Sequence, residues 1–162
     1  MFSFNHWIEV LEANAQHFPH RAALHFLSDG VDIDETLTFA QLHEQSQSLA
    51  AALQVRYAPG DRVLLMLPSS LDYARAFCAC LYAGLIAVPL FPPPSRKPRH
   101  LDRVRKVVAD AAPALILAPA DHCEGLLALV EGQVDVSTVR DLGAPPASQW
   151  KRPQVDGASV AF

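Results

Sequence analysis

Residues 59–94 read PGDRVLLMLPSSLDYARAFCACLYAGLIAVPLFPPP, and the order of signals inside this stretch decides the fold. Pro59-Gly60 marks a turn. Residues 63–67 form an unbroken apolar run, short enough for a strand buried on both faces. Ser69 or Ser70 offers a hydroxyl to cap a helix over about residues 71–82, and Gly84 stops that helix. Residues 85–90 are a second apolar run. Pro92, Pro93 and Pro94 close it, because proline holds an extended path and donates no backbone hydrogen bond. A strand, a helix and a second apolar strand in this order predict a parallel pair with a helical crossover.

Working outward, the same rhythm continues on both sides. Towards the N-terminus, residues 5–17 predict a helix with Trp7, Ile8, Leu11 and Ala15 on one face, ended by Pro19. Residues 22–27 predict a strand, and Asp29-Gly30 a turn. A second short strand ends near Leu37. Thr38 and Gln41 have the spacing of a capping box, and Leu37 and Leu42 that of a hydrophobic staple. Phe39, Leu42, Leu49 and Leu53 then follow helical periodicity. Towards the C-terminus, Leu101, Val104, Val108 and Ala111 make a helix face, with Asp102 and Lys106 placed to pair on the wet side. Residues 115–117 are a third apolar run. Asp121 and Glu124 read as a second capping box, for a helix carrying Leu126, Leu127 and Val130, and residues 134–136 as a shorter fourth strand. The fold class is therefore α/β, a mostly parallel sheet flanked by helices. Residues 1–142 hold this unit, 143–154 read as a Pro/Ala/Ser-rich connector, and 155–162 as the start of a further strand.

Composition narrows the function classes. Half of the 162 residues are hydrophobic and 19% are charged, so the chain has the means to bury a core and is not a disordered one. A net charge of −4 gives no overall attraction to nucleic acid or anionic lipid. Residues 76–95 contain no charge and are long enough to span a bilayer, but Gly84, Pro89 and the three prolines interrupt any helix there. No membrane span is expected. The N-terminus lacks the basic region of a secretory signal. Cys78, Cys80 and Cys123 have no framework spacing, which favours a reduced, cytoplasmic setting.

Few residues suggest chemistry. Cys78 and Cys80, two apart on a helix, diverge and do not share a metal easily; small core positions explain them. His122 and Cys123, adjacent on a helix, diverge likewise. Ser69 and Ser70 are explained by capping, and no phosphate-loop or dinucleotide motif is present. The remaining feature is a cluster of cations, Arg96, Lys97, Arg99, Arg103, Arg105 and Lys106, which reads either as a solvated loop and helix face or as an attraction for an acidic partner. Sparse aromatics argue against a nucleic-acid stacking surface.

The stretch quoted above resembles the early part of the adenylate-forming, acyl-activating superfamily. LTFAQLHEQSQSLAAAL, over residues 37–53, resembles the helix that precedes it there. The prolines after AVPLF and the following HLDRVRKVVADA are most similar to the fatty acyl-AMP ligase branch. The resemblance implies the N-terminal part of the large domain of such an enzyme. It also implies that the complete enzyme uses ATP and Mg²⁺ to turn a fatty acid into an acyl-adenylate and passes the acyl group to an acyl carrier protein. In the family a Ser/Thr/Gly-rich phosphate loop with a lysine follows a segment like residues 159–162. No such loop occurs in this sequence, so no catalytic, cofactor-binding or metal-ligating residue is carried over, and no cofactor is expected on this chain alone. Arg96, Lys97 and Arg99 are the candidate carrier-protein contacts. Two functions stay open: an N-terminal portion of a fatty acyl-AMP ligase, inactive alone, or a stand-alone α/β docking or regulatory module. A sheet cut before its neighbouring strands would leave an exposed edge, with self-association as the consequence.

Overall fold

The structure, a computed structural model, describes residues 4–93, 95 and 97–162. Pro94 and Arg96 lie outside the described residues. Helix α1 (Trp7–His17) leads into a hairpin of β1 (Ala22–Phe26) and β2 (Glu35–Thr38), followed by α2 (Phe39–Gln54). Three strand-and-helix steps and a last strand follow: β3 (Arg62–Leu65), α3 (Leu71–Ala83), β4 (Ile86–Pro89), α4 (Pro98–Ala111), β5 (Leu115–Leu117), α5 (Ala120–Leu129) and β6 (Asp135–Ser137). The hairpin is antiparallel and forms its own two-stranded sheet. The other four strands are parallel, in the order β4-β3-β5-β6.

The parallel sheet is buried on both faces because its strands alternate two apolar sets. Val63, Leu65, Leu115 and Leu117 pack with α1, α2 and α3. Leu64, Met66, Ile116 and Ala118 pack with α4 and α5. A third cluster, around Leu37, Leu42 and Leu71, joins the hairpin to α2 and α3. Its first two members are the expected staple. Thr38 and Gln41 form both bonds of the capping box. Ser70, rather than Ser69, caps α3 by accepting from Tyr73 N–H. Gly84 ends α3 in the left-handed region, at φ 75°.

Several sequence expectations are corrected. Trp7 is 60% exposed, while Ile8 carries the buried face of α1. Asp102 pairs with Arg105 instead of Lys106, at 3.0 Å. Asp121 does not cap α5: the helix already begins at Ala120, immediately after Pro119, with no side-chain cap bond. Pro119 occupies the extended N-cap position, and Asp121 falls inside the first turn. Leu127 is 44% exposed, because it neighbours the buried Leu126 and so points to another side of the helix.

Residues 143–154 run as a strap over the helices. Ser48 Oγ donates to Pro145 O at 2.6 Å, and Gln54 exchanges two hydrogen bonds with the Lys151 backbone. The Trp150 indole N–H donates to Tyr82 O at 2.6 Å. Arg152 pairs with Glu12 on α1. Pro153 then lies against Gly84, where an added Cβ would stand 2.8 Å from the proline ring. The strap delivers residues 155–162 to the outer edge of β4, where Ala87 N–H donates to Ala161 O. Ile86 and Leu90 bond inward to β3, so the next outward position after Ala87 is Pro89, which has no N–H to leave unpaired.

Candidate functional site

Parallel order places the carboxyl ends of β3, β4 and β5 at one edge of the sheet, where ligands of such folds tend to bind. The chain leaves β3 towards α3 on one face, and leaves β4 and β5 towards α4 and α5 on the other. Between the diverging exits of β3 and β4 stand Leu90 and Phe91. Leu90 N–H still donates to Leu65 O, continuing the strand path. Phe91 follows with 75% of its surface exposed. It separates two hollows. One, of about 330 Å³, is walled by Leu67, Ser69, Tyr73, Pro89 and Leu90. The other, of about 320 Å³, is walled by Leu90, Pro92, Pro93, His100, Arg103 and Val104.

Arg103 of the cationic cluster lines the second hollow. Of the three candidate contacts, Arg96 lies outside the described residues. Lys97 is the residue preceding α4, and Arg99 lies in its first turn; both are exposed. Pro98 occupies the first helical position, where its missing N–H costs nothing. Arg99 donates to His100 Nε2 at 3.2 Å, and His100 Nδ1 shares a 2.8 Å bond with Ser95 Oγ. Arg103 and Lys106 also face solvent. Among the described residues, Lys97, Arg103 and Lys106 have no carboxylate partner.

The candidate nucleophiles and ligands do not come together. Burial pushes the Cys78 thiol up to about 11 and the Cys80 thiol up to about 12, so neither offers a thiolate near neutral pH. They belong to different apolar clusters, Cys80 beneath the parallel sheet and Cys78 beside the hairpin. The His122 ring turns to Asp121, while Cys123 Sγ donates to the carbonyls of Ala118 and Pro119. Among the described residues no three His, Cys, Asp or Glu side chains gather as a metal site. Tyr57 is pushed up to about 12, first by burial and then by its hydrogen bond to Asp135. That bond ties β6 to the chain just after α2 and leaves no reactive group. No helix of the described residues is long and apolar enough to cross a membrane.

Sequence reasoning missed Phe91 and Trp150. Phe91 closes an apolar run, so periodicity counted it with the strand. Trp150 is a lone aromatic among polar and proline residues, and that isolation was the available signal for an anchored strap.

The profile of the AMP-binding enzyme family matches residues 11–159. The fatty-acid–CoA ligase FadD25 of Mycobacterium tuberculosis is 37% identical over 152 residues, covering 86% of this chain and 25% of that protein. The medium-chain-fatty-acid–[acyl-carrier-protein] ligase JamA of Moorena producens is 33% identical over 169 residues, covering 98% of this chain and 28% of that protein. Among solved structures, a fatty acid AMP ligase from Legionella pneumophila superposes with a TM-score of 0.84 at 31% identity, over 96% of this chain and 27% of that one. The chain thus spans about a quarter of the length of the curated relatives it matches.

Proposed function

The chain belongs to the AMP-binding enzyme family, and on that premise we propose that it is the N-terminal portion of a fatty acyl-AMP ligase. The observation that carries this reading is the likeness to the Legionella ligase along 96% of the chain, in sequence as well as in fold. Residues 1–142 are then scaffold of the adenylation domain, 143–154 its strap, and 155–162 the approach to a further strand beside β4.

In the complete enzyme the fatty acid carboxylate attacks the α-phosphorus of ATP, a new O–P bond forms and pyrophosphate leaves. A carrier-protein thiol then gives up its proton as its sulfur bonds to the acyl carbon, and AMP departs with the C–O bond pair. Among the described residues no three His, Cys, Asp or Glu side chains gather as a metal site, and neither step is assigned to them. The carrier as acceptor is supported by the likeness to JamA. Lys97 and Arg99 are its proposed contacts, with Arg96 beside them in sequence, and the three unpaired cysteines suit a cytoplasmic setting.

Pyrophosphate exchange into ATP, measured with fatty acids of graded length, tests the reading. These 162 residues alone should show none, and the polypeptide extended to the length of its relatives should show it. Exchange by the 162-residue chain would place nucleotide chemistry on residues given no such role here. Its absence from the extended protein with every fatty acid would end the ligase reading. Acyl transfer from the adenylate to a holo carrier protein, run beside coenzyme A, identifies the acceptor.

A further inference from the structure

We propose that the wet face of α4, with Phe91 beside it, is the docking surface for the acidic helical face of a carrier protein; the partner's identity rests on the ligase reading, the surface does not. Charge is strongly segregated in this chain. Residues 96–106 hold six of the 13 Lys and Arg and one of the 17 Asp and Glu. This segment is therefore net +5 in a chain that is net −4. An acidic protein is repelled by the rest of the surface and drawn to this one, which orients the encounter as well as speeding it.

Local pairing leaves this field intact. Arg105 is held by Asp102, while Lys97, Arg103 and Lys106 have no carboxylate partner among the described residues. Arg99, Arg103 and Lys106 recur at i, i+4 and i+7, so they form one exposed stripe about 10 Å long. Its length suits a facing helix with acidic residues on successive turns. Phe91 stands clear of the surface between two hollows, one of which includes Arg103 in its wall. An exposed aromatic with an arginine in the wall beside it is a composition enriched at interface centres, and the hollows are open to an apolar side chain of the partner.

The same observations disfavour the other anionic surfaces. The apolar side of α4 is turned onto the sheet through Val104, so along α4 and its approach Phe91 is the large apolar side chain exposed to enter a bilayer. One aromatic is likewise too few for stacking bases.

The test uses the 162-residue chain, with an acidic acyl carrier protein in its holo form as the probe and calorimetry at low salt as the readout. The triple variant Arg99→Glu, Arg103→Glu, Lys106→Glu should weaken binding by at least about tenfold, since it replaces attraction with repulsion. Phe91→Ser should weaken it by about threefold or more, as loss of an aromatic anchor does. The control pair Arg62→Glu and Lys151→Glu, remote from the stripe, should bind like the parent. Circular dichroism checks that each variant is folded. Unchanged carrier binding by the folded triple variant overturns the proposal. So does binding of phosphatidylserine vesicles, sensitive to the triple variant, without binding of the carrier. Displacement of the carrier by coenzyme A at equal concentration also overturns it. Failure of the ligase reading shows elsewhere: an extended protein without pyrophosphate exchange ends that reading even where the carrier still binds this stripe.

Discussion

His43 sits half-buried between α2 and α3, with Nδ1 2.7 Å from the Tyr82 hydroxyl and its ring edge-on to the Tyr82 ring. Burial pulls its pKa below the ordinary histidine value. Glu12 and Glu44 oppose that shift and Arg152 adds to it. The folded state therefore favours neutral His43. Its contribution to stability is whole above the unfolded-state value of about 6.5 and is lost as pH falls below it. Solvent access at this half-buried position softens the effect. We expect the melting temperature to fall between pH 7.5 and 5, and His43→Gln to flatten that fall. An equal slope in the variant removes His43 as the cause. Nothing in the local sequence announces this histidine, since its partner lies 39 residues away and meets it only through helix packing.

At the scale of elements, two capping boxes with similar sequence signals had different outcomes. Thr38 and Gln41 exchange both bonds, because β2 delivers an extended Thr38 directly to the helix start. Asp121 and Glu124 do not, because α5 already begins at Ala120, after an extended Pro119 at the N-cap position. Asp121 instead stands as a negative charge in the first turn, bonded to His122. Thr38→Ala should cost about 1 kcal/mol of stability, the usual loss of a cap. Asp121→Ala should cost about 0.3–0.5 kcal/mol, at the low end for an exposed charge near a helix N-terminus. Urea midpoints of the two variants check the order, and a larger loss at Asp121 reverses the assignment. Caps, stops and apolar runs are legible in sequence because each depends on neighbours a few residues away. The exact start of α5 is less so, since two adjacent signals competed for it.

For the whole molecule, the sheet edges govern behaviour in isolation. β6 is three residues long, and its Asp135 carboxylate is bound by Arg56 and Tyr57. β4 meets residues 155–162 through the Ala87–Ala161 bond, and Val160 and Phe162 are exposed beside it. We propose self-association through these exposed apolar side chains beside β4, seen in light scattering as a mass that rises with concentration. A constant monomer mass across the range counts against it. The sequence by itself determined the alternation of strands and helices, the parallel sheet and the concentration of positive charge, because these follow from periodicity, turn residues and composition along a few neighbouring residues. The tertiary structure alone decided that residues 143–154 are fastened across α1, α2 and α3, that β3 lies between β4 and β5, and that Phe91 stands between two hollows, one of them walled in part by Arg103 of α4. Those outcomes join residues dozens of positions apart through packing and hydrogen bonds, and such distances leave no periodic trace in the chain.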